Sequence, residues 1–352
     1  MKKKLKSGLI ILLIALPFIV VLAWLISTDK ISFNLLSKAA ATPDYILCLD
    51  SSTDETCNKL YSGADGLFRL FHDSTVKLDL NGDGQIYVQI KGGTYAIEAS
   101  ALSSTAEQDR EWLKIVGVNK GVVIEGDGSV ILDGGAYLGG VYIKDSSDVS
   151  ISGIAIKNIL HNATTYCKTT PNTCPVGRGI VLDNSKVTFT NSSVSAANNG
   201  SAVLQNASTL ILNKSSLSNA AGIGVTVLDT STLKITEKST VSSAAKNAIS
   251  LAANAKLVAS STIENNEVSR TVKLTDNNGY VVSAQENASI NLANTNVKTN
   301  GAGGIMAIGA STVTLDNVVF TSSLTKLDTM IYLDGTATIA SMNKVSMTGA
   351  LT

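Results

Sequence analysis

The sequence predicts an all-β fold, a single solenoid of about ten stacked coils, because a short apolar pattern returns roughly every 23 residues. One apolar anchor marks each repeat, and the residue two positions later lies on the same face of a strand with period two. The anchors are Val149, Val187, Leu210, Leu233, Leu257, Ile290, Val313 and Thr338. No repeat contains a helical period long enough for a helix, which favours stacked β-coils.

Each repeat holds three short β-type segments separated by polar turns, which predicts a triangular coil. In the first repeat these are residues 141–143, 149–151 and 154–156. Similar segments precede later anchors at 180–182, 225–227, 249–251 and 331–333. Position seven after the anchor is also apolar in most coils, as at Ile156, Val194, Leu217, Val297, Phe320 and Val345. A pair of β-sandwiches is the competing interpretation, but a sandwich has no reason to repeat at a fixed period.

The N-terminal segment predicts a membrane anchor. Residues 8–26 form an apolar stretch of 19 residues, which as a helix covers about 28 Å of hydrocarbon. Four preceding lysines place that end in the cytoplasm. We therefore expect a transmembrane anchor at 1–28, a tether at 29–43 and an extracytoplasmic solenoid domain at 44–352. A signal peptide cleaved near Ala39-Ala-Ala41 is the alternative, although signal cores usually have about 7 to 15 apolar residues.

Charge argues against a nucleic-acid partner. The chain has 28 basic and 28 acidic residues. Since four lysines precede the apolar stretch, 24 basic residues face 28 acidic ones in the remainder, a net of minus four. A nucleic-acid-binding protein needs a basic footprint instead.

Two pairs of closely spaced cysteines predict two disulfides and an oxidising compartment. The pairs are Cys48 with Cys57, and Cys167 with Cys174. Zinc is the alternative, but a zinc site favours Cys-x-x-Cys spacing with further ligands. The two histidines, His72 and His161, are single and far apart in the sequence.

Two features precede the coils. Leu67, Phe68 and Leu70 follow helix-like spacing and predict a short helix that caps the first coil. The segment after it matches the first half of an EF-hand calcium loop, so its candidate ligands are Asp79, Asn81 and Asp83. Its twelfth position is Ile90 instead of an acid, and the flanking residues alternate, which favours a turn between strands. We expect no other cofactor.

Several segments carry a family resemblance. Ile86-Tyr-Val88 is followed by Gly92-Gly-Thr94-Tyr95, and residues 121–128, 131–134, 140–143 and 149–158 succeed one another like coils. These motifs resemble the pectin-lyase-like right-handed parallel β-helix superfamily, from about residue 85 to the end and most strongly up to Asn158. The resemblance implies a right-handed parallel β-helix, in which Asn158 and stacked equivalents such as Asn219 hydrogen-bond corner backbone.

The superfamily includes polysaccharide lyases, glycoside hydrolases, esterases, phage tailspikes and adhesins, so fold alone selects no activity. A lyase needs a cation and a Lys, Arg or His base. The first insertion and its neighbouring coils, together with a second insertion at 265–278, hold the candidates. The catalytic candidates are Arg178, His161 and Asp183, and the binding candidates are Tyr142, Lys144, Tyr166, Arg270 and Lys273. A loop that simply carries polar surface residues is the alternative.

A hydrolase would need two carboxylates across a cleft. Acids are available in neighbouring coils at Asp127, Asp133, Asp145 and Asp183, but they stand at Asp-Gly and Asp-Ser corners, where acids usually form turns. We therefore expect a membrane-anchored extracytoplasmic scaffold or carbohydrate-binding protein. The alternatives are a lyase or hydrolase acting near Cys167, and a spacer without a ligand.

Overall fold

The alternating segments form parallel strands that wind into stacked triangular coils. The computed structural model describes residues 42–50, 55–73, 78–97, 111–135, 138–159, 177–195, 197–219, 221–243, 245–261, 263–264, 267–268, 272–276, 279–322 and 329–348. Within these ranges the chain forms one helix, three faces of parallel strands and one small antiparallel hairpin.

The first face carries the anchors. Each of its strands pairs in parallel with the equivalent strand of the next coil. Its strands are β1 (Tyr45–Leu47), β2 (Gln85–Ile90), the first parts of β5 (Gly121–Asp133) and β7 (Val149–Lys157), β9 (Lys186–Thr190), β12 (Thr209–Asn213), β15 (Thr232–Thr236), β18 (Lys256–Ser260), β23 (Ser289–Ala293), β26 (Thr312–Asp316) and β29 (Thr338–Asn343).

The second face follows the first around a corner. Since β5 and β7 run through both, the two faces belong to one continuous sheet. The other strands of the second face are β3 (Gly93–Ala96), β10 (Ser193–Val194), β13 (Ser216–Asn219), β16 (Thr240–Ser243), β21 (Val272–Asp276), β24 (Thr295–Thr299), β27 (Val319–Ser322) and β30 (Ser346–Thr348).

The third face is a separate nine-stranded sheet that closes the triangle. Its strands are β4 (Glu111–Val116), β6 (Gly139–Lys144), β8 (Ile180–Asp183), β11 (Ala202–Gln205), β14 (Val225–Val227), β17 (Ile249–Leu251), β22 (Tyr280–Ala284), β25 (Gly303–Ala307) and β28 (Ile331–Leu333). The hairpin consists of β19 (Ile263–Glu264) and β20 (Glu267–Val268).

The anchors lie in adjacent rungs of the first face, as their period predicts. Val149 pairs with Val187, Val187 with Leu210, and Leu210 with Leu233. Their side chains and those of the next three anchors are at most 2% exposed. The core therefore runs along the axis as columns with one residue from each coil.

The register of the last coil differs from the prediction. Val313 pairs with Ile339, whereas the predicted anchor, Thr338, pairs with Thr312. The ladder then shifts by one residue at Ala340, where an extra residue in one strand forms a β-bulge. The prediction for the position seven residues after the anchor is wrong for the same reason. Phe320 pairs with Met347, whereas the spacing predicted Val345.

The second insertion also begins and ends earlier than the predicted 265–278. Residues 272–276 form β21, which pairs with β16 and β24 in the second face. Leu274 fills the core and is fully buried. Lys273 is therefore a strand residue opposite Thr240, and the inserted residues that the structure describes form the β19–β20 hairpin.

The N-terminal end contains the predicted cap. Helix α1 (Gly66–His72) packs against β4, the first strand of the third face, and buries Leu67 and Leu70. A disulfide between Cys48 and Cys57 joins the end of β1 to the segment before α1. The second predicted pair, Cys167 and Cys174, lies outside the described residues.

No helix in the described ranges combines the length and the apolar character that a membrane crossing requires. The apolar stretch at 8–26 lies outside those ranges, as do the tether residues before position 42.

Acidic and amide side chains turn the corners, as predicted. Asp145, Asn184 and Asn206 adopt φ values of 48°, 47° and 53° at equivalent corners, in the left-handed region that Asn and Asp tolerate. Asn158 has a φ of 54°, but its amide donates to the Asp133 carboxylate (3.0 Å) and not to corner backbone. The Asn219 side chain lies outside the described atoms.

Two columns of buried serines join successive coils at two corners. The Ser185 hydroxyl accepts a hydrogen bond from the Ser146 N–H, Ser208 accepts from Ser185, and Ser231 accepts from Ser208, each at 3.1 Å. A second column links coils at the next corner and contains Ser192, Ser215 and Ser239. These hydroxyls accept hydrogen bonds from corner N–H groups that have no partner in the strand ladders.

We expect Ser208→Ala to lower the free energy of unfolding by about 1 to 3 kcal/mol, because it leaves the buried Ser185 N–H without its acceptor. Chemical denaturation measures the change. The control is Ser289→Ala at an outward position of β23, which should shift stability by less than about 0.5 kcal/mol. Equal losses in the two variants would show that the column adds nothing.

Candidate binding surface

The outer side of the first face carries mostly polar side chains. Because side chains alternate along each strand, the residue between two core residues points outward, and the rung register aligns these residues from coil to coil. One such column contains Tyr87, Val123, Ser150, Thr188, Ile211, Lys234, Val258, Asn291 and Thr314. It spans nine coils, or about 38 Å at about 4.8 Å per coil.

The parallel column is dominated by hydroxyl, amide and carboxyl groups. It contains Gln89, Glu125, Ser152, Thr190, Asn213, Thr236, Ser260, Ala293 and Asp316. The two columns together present hydrogen-bonding groups at a regular spacing on a rigid sheet. Such an array suits an extended ligand that carries many hydroxyl groups.

Tyr87 and Glu125 form the most distinctive pair on this surface. The Tyr87 hydroxyl donates to Glu125 Oε2 at 2.8 Å across the rung between β2 and β5. Burial, then the hydrogen bond to Glu125 and its negative charge, raise the pKa of Tyr87 to about 12. Tyr87 is therefore neutral and donating at physiological pH, and it places an aromatic ring among polar groups.

This pair was not among the residues predicted from sequence. The signal was present, because Tyr87 lies between Ile86 and Val88 in an alternating strand and therefore points outward. The sequence does not reveal the register between β2 and β5, which places Gln89 opposite Glu125 and brings the Tyr87 hydroxyl to it.

The predicted residues on the third face are divided between the two ends of its strands. Lys144 and Asp183 are register partners at one end. The Asp183 carboxylate accepts from the Asn206 amide at 2.7 Å, so it takes part in a corner. Arg178 lies five residues before Asp183, about 16 Å away along extended chain. Tyr142 pairs with Val181 between them.

Arg178 lies at the corner between the second and third faces. Burial lowers its pKa to about 10. Its carbonyl accepts from the Gly140 N–H at 2.9 Å. Glu111, 1% exposed, starts β4 at the same corner and pairs with Gly139. His161, Tyr166 and Arg270 lie outside the described residues.

The three candidate calcium ligands hold a turn. Asp79 accepts from the N–H groups of Gly82 (2.7 Å) and Gly84 (3.3 Å) and from Lys120 Nζ (2.6 Å). The hydrogen bond from Lys120 is the main cause that lowers the pKa of Asp79.

The other two ligands are also engaged. Asn81 Oδ1 accepts from the Asp83 N–H at 2.9 Å, and Asp83 Oδ1 accepts from the Gln85 N–H at 2.8 Å. Ile90, the twelfth position, is fully buried in the core. In the part of the chain that the structure describes, no three His, Cys, Asp or Glu side chains are grouped to hold a metal ion.

The acids considered for a hydrolase also occupy corners. Asp127 accepts from the Gly92 N–H (2.8 Å) and from Ser129, and Asp145 accepts from the Asn184 amide (2.8 Å). Asp133 accepts from the Gly135 N–H at 3.0 Å. The structure gives each of these carboxylates a role in a turn.

Comparison with protein-family models agrees with this architecture. A family model described as a right-handed β-helix region matches residues 120–320. The chain is also similar to a solved structure, the A-module of the mannuronan C-5 epimerase AlgE6 of Azotobacter vinelandii, with a TM-score of 0.34 and 9% identity. That similarity covers 77% of this chain and 92% of the epimerase module. No curated protein matches the chain.

Proposed function

Because the chain belongs to the right-handed β-helix family, we propose that it is a rigid extracytoplasmic scaffold, anchored in a membrane by residues 8–26, that binds a glycan on its first face. The observation that carries the binding role is the Tyr87–Glu125 pair on a sheet face whose outward side chains are mostly polar.

The chemistry of this surface suits a sugar chain. An aromatic ring offers an apolar platform to the C–H face of a sugar, and a carboxylate accepts from sugar hydroxyls. Tyr87 and Glu125 provide these two groups side by side, joined by a hydrogen bond. Gln89, on the same strand as Tyr87, lies opposite Glu125. The parallel ladders hold these groups in place before a ligand arrives, which reduces the entropy lost on binding.

The cysteine chemistry supports the extracytoplasmic assignment. The disulfide between Cys48 and Cys57 is typical of proteins in oxidising compartments. The membrane anchor rests on the length of the apolar stretch and on the lysines before it.

We expect Tyr87→Ala to weaken glycan binding about tenfold or more, since loss of an aromatic contact that anchors an interface commonly costs over 1 kcal/mol. The full chain is applied to an array of neutral and acidic glycans, and affinities are measured for the best ligands. Tyr332→Ala is the matched control, because Tyr332 is also an outward aromatic that hydrogen-bonds a carboxylate, Asp334, but on the third face.

Equal affinity in the two variants, or no binding to any glycan, would contradict the proposal. Release of shortened or unsaturated products from an array glycan would instead favour the second candidate, a polysaccharide lyase or glycoside hydrolase. Loss of that release in Arg178→Ala would then place the reaction at the corner of the second and third faces.

A further inference from the structure

Four lysines form a cationic surface away from the Tyr87–Glu125 pair. Lys234 and Lys256 occupy outward positions of β15 and β18, and Lys273 and Lys298 occupy outward positions of β21 and β24. All four are exposed, and none forms an ion pair within 4.0 Å among the described residues. We call these four residues the lysine patch.

The register gives the spacing of the charges. Lys234 and Lys256 lie one coil apart and two residues apart along the strand, which separates their Cα atoms by about 8 Å. Lys273 and Lys298 have the same relation in the second face, so their separation is also about 8 Å. The patch extends over three coils, and its two pairs lie on different faces on either side of an edge. Lys256 and Lys273 belong to the same coil, at positions equivalent to Thr232 and Thr240. Tyr87 lies five coils from Lys234, about 24 Å along the axis.

The surroundings of the patch are mostly polar and uncharged. Most of its outward neighbours are hydroxyl and amide side chains, including Thr232, Thr236, Thr240, Ser289 and Asn296. The rung neighbours of Lys234 itself, Ile211 and Val258, are apolar. Glu237, three residues after Lys234, pairs with another lysine, Lys214, at 3.8 Å. The hairpin that leaves the same edge carries Glu264 and Glu267.

We propose that the lysine patch binds a phosphodiester-linked, hydroxyl-rich surface polymer. A lysine ammonium is a point charge that suits phosphate, whereas planar carboxylates are best matched by the arginine fork, which the described part of the patch lacks. In a polyol phosphate chain about six single bonds separate successive phosphorus atoms, so phosphates recur at about 7 Å when extended. This repeat is close to the spacing within each lysine pair, and the neighbouring hydroxyl and amide side chains suit polyol hydroxyls.

Other polyanions fit less well. About six backbone bonds also separate successive phosphorus atoms of a nucleic acid strand, so the phosphate repeat does not distinguish it from a polyol phosphate. Nucleic-acid surfaces, however, add aromatic side chains for the bases. The described outward neighbours of the patch contain no aromatic residue. A lipid surface is flat and would meet lysines of one plane, whereas the two lysine pairs lie on different faces.

The test measures binding of the full chain to synthetic glycerol-phosphate oligomers at low and moderate salt. The combined Lys234→Gln, Lys256→Gln, Lys273→Gln and Lys298→Gln variant should bind about tenfold to a hundredfold more weakly, and added salt should weaken wild-type binding. The matched control makes the same change at four exposed or partly exposed lysines elsewhere, Lys59, Lys157, Lys246 and Lys344. It should bind within about twofold of wild type.

Equal loss in the two variants overturns the proposal, because it would reflect net charge alone. Tighter binding to polygalacturonate, duplex DNA or anionic vesicles than to the oligomers also overturns it. So does patch-dependent self-association in light scattering. Lys234 and Lys256 share the first face with the proposed glycan surface, but the patch lies about 24 Å from Tyr87 along the axis, so the Tyr87→Ala experiment and this one can fail independently.

Discussion

The Phe189→Ala variant is expected to lose about 3 to 5 kcal/mol of unfolding free energy. Phe189 is fully buried, and its rung neighbours in the core column are Ile151 and Leu212. Those neighbours belong to strands held at a fixed spacing by backbone hydrogen bonds on both sides. The surrounding coils therefore cannot collapse into the cavity, and the full cost of the lost contacts and the void remains.

Denaturant unfolding of the full chain measures this loss. Ile211→Ala is the control, because Ile211 lies between two core residues of the next coil but points outward. It removes a large apolar side chain from the same region and should cost less than about 1.5 kcal/mol. If the two variants lose equal stability, the assignment of inward and outward positions in these coils is wrong.

The regular coils could be predicted because two constraints act on the same residues. A rung ladder needs equivalent positions at a constant period, and a buried strand needs apolar residues at alternate positions. Val187, Leu210 and Leu233 satisfy both, so the sequence spacing translates directly into the observed pairing. A resemblance to a known family then supplied the handedness.

The prediction fails where one constraint is locally relaxed. At the last coil, a single extra residue at Ala340 changes the phase of the alternation. Both Thr338 and Ile339 then fit the period to within one residue. The second insertion was misplaced because Val272–Asp276 resumes the strand pattern with few apolar residues in its sequence to mark it, among them the fully buried Leu274.

The serine columns and the Tyr87–Glu125 pair were missed for a different reason. In the sequence, Ser185 and Ser208 are typical turn residues. They become buried, and their hydroxyls gain backbone partners, because each corner stacks on the next. Tyr87 and Glu125 are 38 residues apart in sequence. Their contact depends on the register between β2 and β5, which a long connection separates.

Raising the pH from 10 to 12 is expected to destabilise the protein through two tyrosines. Burial is the main cause that raises the pKa of Tyr87 and of Tyr95 to about 12. The fully buried Tyr95 hydroxyl donates to the Lys91 carbonyl at 2.9 Å. Since the folded-state pKa lies above the unfolded value near 10, the stabilisation is complete below pH 10 and is lost as the pH rises through 12.

Each tyrosine should contribute a loss of about 2 kcal/mol across this interval, at about 1.4 kcal/mol per pKa unit and with partial exposure discounted. Stability is measured at pH 9, 10, 11 and 12 for the wild type and for the Tyr87→Phe, Tyr95→Phe double variant. Lysine deprotonation affects both proteins alike, so the difference between their slopes isolates the tyrosines. The double variant should start less stable and change less with pH, because it lacks the two hydroxyls that must stay protonated in the folded state. Parallel slopes would mean that these hydroxyls ionise as easily in the folded protein as in the unfolded chain.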